Sequence, residues 1–115
     1  MKPLIICLLA LMANTSSDKL IGRWESISSK GNVTGVVFKD DNTFEGYVNR
    51  KPFVSGTYTF NDSIFTLEDN GCMGVRGTYK FTFYSNNDSF RIELMHDECE
   101  GRGNGMNDRT FGRVK

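Results

Sequence analysis

The sequence has no excess of charge of either sign, because 14 lysines and arginines balance 14 aspartates and glutamates. A nucleic-acid-binding domain carries a basic stripe, so this balance argues against a nucleic-acid partner. The sequence also has no basic amphipathic segment, which argues against a helix lying on a membrane surface. With 115 residues, the chain has room for one domain.

No apolar run in the sequence is long enough to cross a bilayer as a helix, which takes about 20 residues. The apolar run from Leu4 to Ala13 is about ten residues long and follows Lys2. A short apolar run behind a basic residue is typical of a secretory signal peptide. We therefore predict a signal peptide at residues 1–17, cleaved between residues 13 and 17, ahead of a secreted or periplasmic domain at residues 18–115.

Cysteine is scarce, with three in the chain. Cys7 falls in the predicted leader, where we interpret it as an ordinary signal-peptide residue. The remaining two, Cys72 and Cys99, are expected to form a disulfide in an oxidising compartment. This bridge would close a loop of about 28 residues and stabilise the domain by about 3.5 kcal/mol. The spacing does not match a zinc site, and we predict no metal and no cofactor.

No part of the domain shows the period of a long helix; short alternations of apolar and polar residues run from Gly22 onward. Short connections between such strands favour antiparallel neighbours, and eight strands can close on themselves. We therefore predict an all-β fold, an eight-stranded antiparallel up-and-down β-barrel. The predicted strands are 22–28, 33–39, 43–50, 53–60, 63–69, 74–84, 88–97 and 107–114.

Turn residues separate these strands. Lys51-Pro52 is expected to end the third strand, because proline cannot donate to the ladder. Asn70-Gly71 is the strongest hairpin signal in the chain. The glycine-rich segment from Glu100 to Met106 is predicted to be a flexible loop.

The head of the first strand resembles a known family. Gly22-Arg23-Trp24 is similar to the G-x-W signature of lipocalins and their calycin relatives. Gly56-Thr57-Tyr58 and the segment 97–102, Asp-Glu-Cys-Glu-Gly-Arg, resemble small secreted bacterial lipocalin-like domains. The resemblance implies that Trp24 packs across the closed end of the barrel, with Gly22 before it. It also implies that an arginine of the last strand lies over the indole. Arg113 is the first candidate for that arginine and Arg109 the second.

The strand alternation points ten aromatic side chains inward, and they either fill the barrel or surround a pocket. The ten are Trp24, Phe38, Phe44, Tyr58, Phe60, Phe65, Tyr79, Phe81, Phe83 and Phe90. Gly46, Gly56 and Gly77 would return some of the volume to a pocket. In the pocket interpretation, the Tyr58 and Tyr79 hydroxyls orient the ligand. The predicted ligand-binding residues are Phe44, Tyr58, Phe60, Tyr79, Phe81, Phe83 and Phe90.

The sequence does not indicate catalysis. His96 is the single histidine and has no serine partner at a defined spacing, and the glutamates beside Cys99 are expected to be solvated. We therefore predict a monomeric, non-enzymatic protein that binds a small apolar ligand. One alternative is an inhibitor of a secreted hydrolase, acting through its N-terminal segment or its glycine-rich loop. The other is a structural envelope domain without a ligand.

Overall fold

The computed structural model describes residues 19–115 and shows a closed barrel of eight antiparallel strands in sequence order. This confirms the predicted fold class. The strands are β1 (Gly22–Ile27), β2 (Val33–Phe38), β3 (Thr43–Val48), β4 (Lys51–Asn61), β5 (Ile64–Asp69), β6 (Gly77–Tyr84), β7 (Ser89–Asp97) and β8 (Thr110–Arg113). The predicted signal peptide and Cys7 lie outside the described residues.

Alternation along each strand separates the core from the outer surface. On β6, Tyr79 and Phe81 are buried inside the barrel, whereas Lys80 and Thr82 are exposed outside it. Tyr58 and Phe60 of β4 follow the same pattern between exposed threonines. The buried core consists of Leu20, Trp24, Phe38, Phe44, Tyr58, Phe60, Phe65, Leu67, Tyr79, Phe81, Phe90, Ile92 and Phe111.

Three local predictions are wrong. Residues Glu100–Met106 form a helix, α1, rather than a flexible loop. The turn after β3 is made by Asn49 and Arg50, which both have positive φ, so Lys51 and Pro52 begin β4 instead of ending β3. The connection from β5 to β6 is a loop from Asn70 to Arg76 rather than a two-residue hairpin turn.

The β5–β6 loop departs from a tight hairpin because its residues are held elsewhere. Asp69 Oδ1 accepts hydrogen bonds from the amides of Gly71 and Cys72, each at 3.0 Å. Cys72 is joined to Cys99 across a Cα–Cα distance of 6.2 Å, so the predicted disulfide is present. The loop is therefore shaped by a carboxylate cap and by a covalent bridge to the segment before α1.

The antiparallel order gives the barrel two different ends. The closed end carries Leu20 and Trp24 together with the β2–β3, β4–β5 and β6–β7 turns. The open end carries the β1–β2, β3–β4 and β5–β6 connections, the disulfide and α1. Within residues 19–115, no helix is long and apolar enough to cross a membrane.

Trp24 seals the closed end. Its side chain is fully buried, and its Nε1 donates a hydrogen bond of 2.8 Å to the Leu20 carbonyl. The Arg113 guanidinium carbon lies 4.2 Å from the centre of the indole, which is the arrangement that the resemblance implied. Arg109 instead donates to the Gly105 carbonyl at the C-terminal part of α1.

Arg113 also links three separate chain segments at this end. Its Nη2 donates to the carbonyls of Lys19 (2.7 Å) and Asn87 (3.1 Å), and its Nη1 donates to that of Ile21 (3.2 Å). Its Nε donates to Asp88 Oδ1 at 3.1 Å. Gly22 has a φ of 129°, and a Cβ there would lie 3.3 Å from Arg113 Nη1. A glycine is needed at this position for both reasons.

We expect Arg113→Met to lower the free energy of unfolding by about 3 kcal/mol, because it removes several charge-assisted hydrogen bonds and the cation–π contact. Arg91→Met is the matched control, since Arg91 forms only an exposed ion pair with Asp108; that pair is worth about 0–1 kcal/mol. Urea unfolding followed by Trp24 fluorescence measures both variants. Equal losses in the two variants would contradict the role given to Arg113.

Candidate functional site

The barrel contains a cavity of about 490 Å³ that reaches the open end. One wall is aromatic and runs across β5 to β8. Phe81 stacks on Phe65 and on Phe90 with ring centres 4.5 Å apart in each pair, and Phe90 stacks on Phe111 at 5.4 Å. The four rings present a continuous apolar surface to the cavity.

The facing wall carries smaller side chains beside the aromatic rings of Phe38 and Phe44. Val36, Gly46, Val48 and Val54 line this side, on β2, β3 and β4. Gly46 is packed against Val54, because a Cβ there would lie 2.7 Å from Val54 Cγ1. The cavity therefore lies between a wall of stacked aromatic rings and a wall in which aromatic and smaller side chains are mixed.

Three of the seven predicted ligand-binding residues line the cavity: Phe44, Phe81 and Phe90. The other four, Tyr58, Phe60, Tyr79 and Phe83, do not line it. Phe60 and Phe83 pack against each other, with ring centres 5.9 Å apart. The ring centre of Phe83 also lies 6.1 Å from that of Trp24.

Neither predicted tyrosine hydroxyl is available to orient a ligand. The Tyr58 hydroxyl donates to the Lys39 carbonyl at 2.9 Å, and burial together with the nearby charges of Asp41 and Asp40 raises the pKa of this phenol. The Tyr79 hydroxyl donates to Asp97 Oδ2. Burial, followed by the hydrogen bond to this carboxylate, raises the pKa of Tyr79 well above its usual range. Both hydroxyls are therefore used in hydrogen bonds within the barrel.

The mouth of the cavity is braced by a buried ionic cluster of Asp69, Asp97, Arg102 and Tyr79. Arg102 projects from α1, and its side chain is only 7% exposed. Its Nε donates to Asp97 Oδ2 at 2.7 Å and its Nη2 donates to the Val75 carbonyl at 2.7 Å. Its Nη1 lies 3.2 Å from Asp69 Oδ2. The cluster ties α1 to β5, to β7 and to the β5–β6 loop.

The ionisable groups of this cluster shift one another's pKa values. Burial is the largest single effect on Asp97 and opposes its ionisation. Hydrogen bonds from Arg102, Tyr79 and the Cys99 amide together outweigh burial, so the pKa of Asp97 is lowered. The hydrogen bond to Asp97 also raises the pKa of Arg102, which therefore stays protonated. Arg102 thus forms ion pairs with two carboxylates, whereas its buried Nη1 has no hydrogen-bond partner within residues 19–115.

Several residues of the site are not among those predicted from the sequence. Val36, Val54 and Met106 line the cavity, and Arg102 and Asp69 brace its mouth. Arg102 belongs to the 97–102 segment that carried the family resemblance, and an arginine within a glycine-rich stretch was its one visible signal. Among residues 19–115, no group of three or more His, Cys, Asp or Glu side chains is placed to hold a metal ion.

Comparison with protein-family models, with curated protein sequences and with solved structures finds no match to this chain.

We expect Asp97→Asn to lower the free energy of unfolding by about 3 kcal/mol near neutral pH, because it leaves the buried Arg102 without one of its charged partners. A carboxylate with a lowered folded-state pKa stabilises the fold above its unfolded pKa of about 4, and this contribution is lost as the pH falls through the folded-state value. The difference between wild type and variant should therefore shrink on acidification below about pH 4.

Urea titrations across this pH range test the expectation. Asp62→Asn in the exposed β4–β5 turn is the control and should show little difference from wild type at any pH. If the difference in the free energy of unfolding between wild type and Asp97→Asn did not change with pH, the role given to the Asp97 carboxylate would be contradicted.

Proposed function

We propose that the protein is a secreted, lipocalin-like barrel that binds a small apolar molecule non-covalently in its interior. The observation that carries the proposal is the cavity of about 490 Å³ at the open end. Small-molecule sites are concave, mostly apolar and about 300–1,000 Å³ in volume. The closed barrel, the G-x-W start and the Arg113–Trp24 contact support placing the chain among calycin-like proteins.

The lining favours a ligand whose inner part is uncharged and flat. Such a ligand would lie against the stacked rings of Phe65, Phe81, Phe90 and Phe111, with the valine-lined wall on its other side. Deep in the barrel the lining is hydrocarbon, so a buried charge there would have no partner. The charged lining residues, Asp69, Arg102 and Arg109, are placed at the mouth.

The hydrolase-inhibitor and envelope-domain alternatives stay predictions. The inhibitor hypothesis depended on a filled barrel, an N-terminal tail and a glycine-rich loop. The barrel has a cavity, the tail up to residue 18 lies outside the described residues, and the loop is the helix α1. The cavity and the helix favour ligand binding over inhibition.

A cavity-filling variant tests the proposal. The Val36 side chain points into the cavity from β2, so Val36→Trp places an indole where the ligand would lie. Wild-type protein is expected to bind the apolar dye Nile red saturably, with increased fluorescence. Because the indole would occupy the volume that the dye needs, Val36→Trp should weaken dye binding about tenfold or more, which is about 1.4 kcal/mol or more.

Val37→Trp is the matched control. Val37 is the next residue of β2 and is paired with Arg23 and Glu45 on the outer face of the barrel. The Val37→Trp variant should bind the dye as wild type does. Urea unfolding checks that both variants are folded. An absence of saturable binding by the wild type, or equal binding by the two variants, would refute the proposed site.

A further inference from the structure

The most exposed large apolar side chains of residues 19–115 gather at the open end. Ile27 is 70% exposed at the end of β1, Phe53 is 75% exposed near the start of β4, and Met73 is 89% exposed in the β5–β6 loop. At the opposite end, by comparison, Tyr84 is 44% exposed. Exposed apolar residues clustered at one place mark an interaction surface more often than scattered ones do.

Basic residues lie beside two of these apolar side chains. Lys30 is in the β1–β2 turn, Arg50 is in the β3–β4 turn and Lys51 begins β4; all three are exposed. Within the described part of the chain, none of the three forms an ion pair, whereas Lys39, Arg76, Arg91 and Lys115 do. We call Ile27, Lys30, Arg50, Lys51 and Phe53 the basic rim.

The two turns of the basic rim form one rigid unit. Asn49 Oδ1 accepts from the Val33 amide at 2.8 Å, and the Asn49 amide donates to the Val33 carbonyl at 2.8 Å. Asn49 Nδ2 also donates to Asn32 Oδ1 at 3.1 Å. The basic and apolar side chains are therefore presented together by a scaffold that does not have to be ordered on binding.

Phe53 connects the basic rim to the cavity. It is the extra residue of a β-bulge, because Val54 pairs with Gly46 and Pro52 pairs with Tyr47. A bulge re-aims the side chain that it carries. Phe53 lines the mouth of the cavity and is also largely exposed. A surface seated against the basic rim would therefore meet the opening through which a ligand passes.

We propose that the basic rim docks on an anionic lipid surface and turns the mouth of the cavity toward it. The proposal rests on the proposed ligand-binding function, since an apolar ligand is exchanged most directly with a membrane. Apolar side chains beside unpaired cations match the chemistry of a membrane interface, where acyl chains lie beneath anionic headgroups. Glu98 and Glu100 lie across the mouth near α1, so the barrel would dock tilted onto its β1–β4 side.

Sedimentation with lipid vesicles tests the proposal, using ligand-free protein recovered after secretion. We expect binding to vesicles of phosphatidylcholine mixed with phosphatidylglycerol and little binding to phosphatidylcholine alone. Binding should weaken as salt is added, because salt screens exposed charges. A basic residue near an anionic surface contributes about 1 kcal/mol, so Lys51→Glu should weaken binding at least about fivefold.

Two pairs of variants separate the basic rim from general surface effects. Lys80→Glu makes the same charge change on the outer wall of β6 and should weaken binding much less than Lys51→Glu. Phe53→Ser should weaken binding, whereas Tyr84→Ser, which removes an exposed aromatic at the closed end, should not. Equal losses within either pair would overturn the assignment of the rim.

The outcomes also distinguish this proposal from ligand binding itself. Val36→Trp should bind vesicles as wild type does, and Lys51→Glu should bind Nile red as wild type does. Dye binding without vesicle binding would overturn the docking proposal but not the proposed ligand-binding function. The basic rim would then be a candidate surface for a protein partner. Vesicle binding without dye binding would instead overturn the proposed ligand-binding function.

Discussion

The contact between Arg113 and Trp24 is the constraint on which the barrel depends, because it closes the weakest seam of the sheet. β1 and β8 share only two paired positions, whereas β1 and β2 share six. Two pairs of residues supply few ladder hydrogen bonds, and the Arg113 guanidinium adds side-chain contacts at this seam. Arg113 contacts the indole of β1 and donates to the carbonyls of Lys19 and Ile21, which precede that strand. A barrel closed in this way has no free strand edges along that seam.

With one end of the barrel closed, the side chains that point inward determine how much of the interior is filled. Stacked phenylalanines occupy β5 to β8, while valines and a glycine stand beside Phe38 and Phe44 on the facing side of the cavity. The mouth is then held by two independent devices: the Cys72–Cys99 bridge and the ion pairs of Arg102 with Asp69 and Asp97. Both devices connect the β5–β6 loop to the segment around α1. The cavity is therefore a consequence of the fold and not of a single residue.

The strand order, the inward-facing aromatics and the disulfide could be predicted, because alternation with period two and an even cysteine pair are local signals. The cavity residues could be predicted only in part. Tyr58 and Tyr79 do face inward, but their hydroxyls are taken by Lys39 and Asp97, which are distant in sequence. The helix α1 escaped prediction because glycine is a poor helix former, and tertiary contacts overrode that preference. Similarly, the turn before Pro52 depends on the positive φ of Asn49 and Arg50.

The composition of α1 has a consequence for how the molecule opens. Three of its seven residues are glycine, and Cys99 at its start provides no side-chain cap. Each glycine costs about 1 kcal/mol relative to alanine, so the helix depends on its anchors for order. Segments of this kind unfold locally at a lower free energy than the strands around them. We therefore expect the amide protons of α1 to exchange with solvent sooner than those of the barrel wall, and the mouth to open locally while the sheet stays intact.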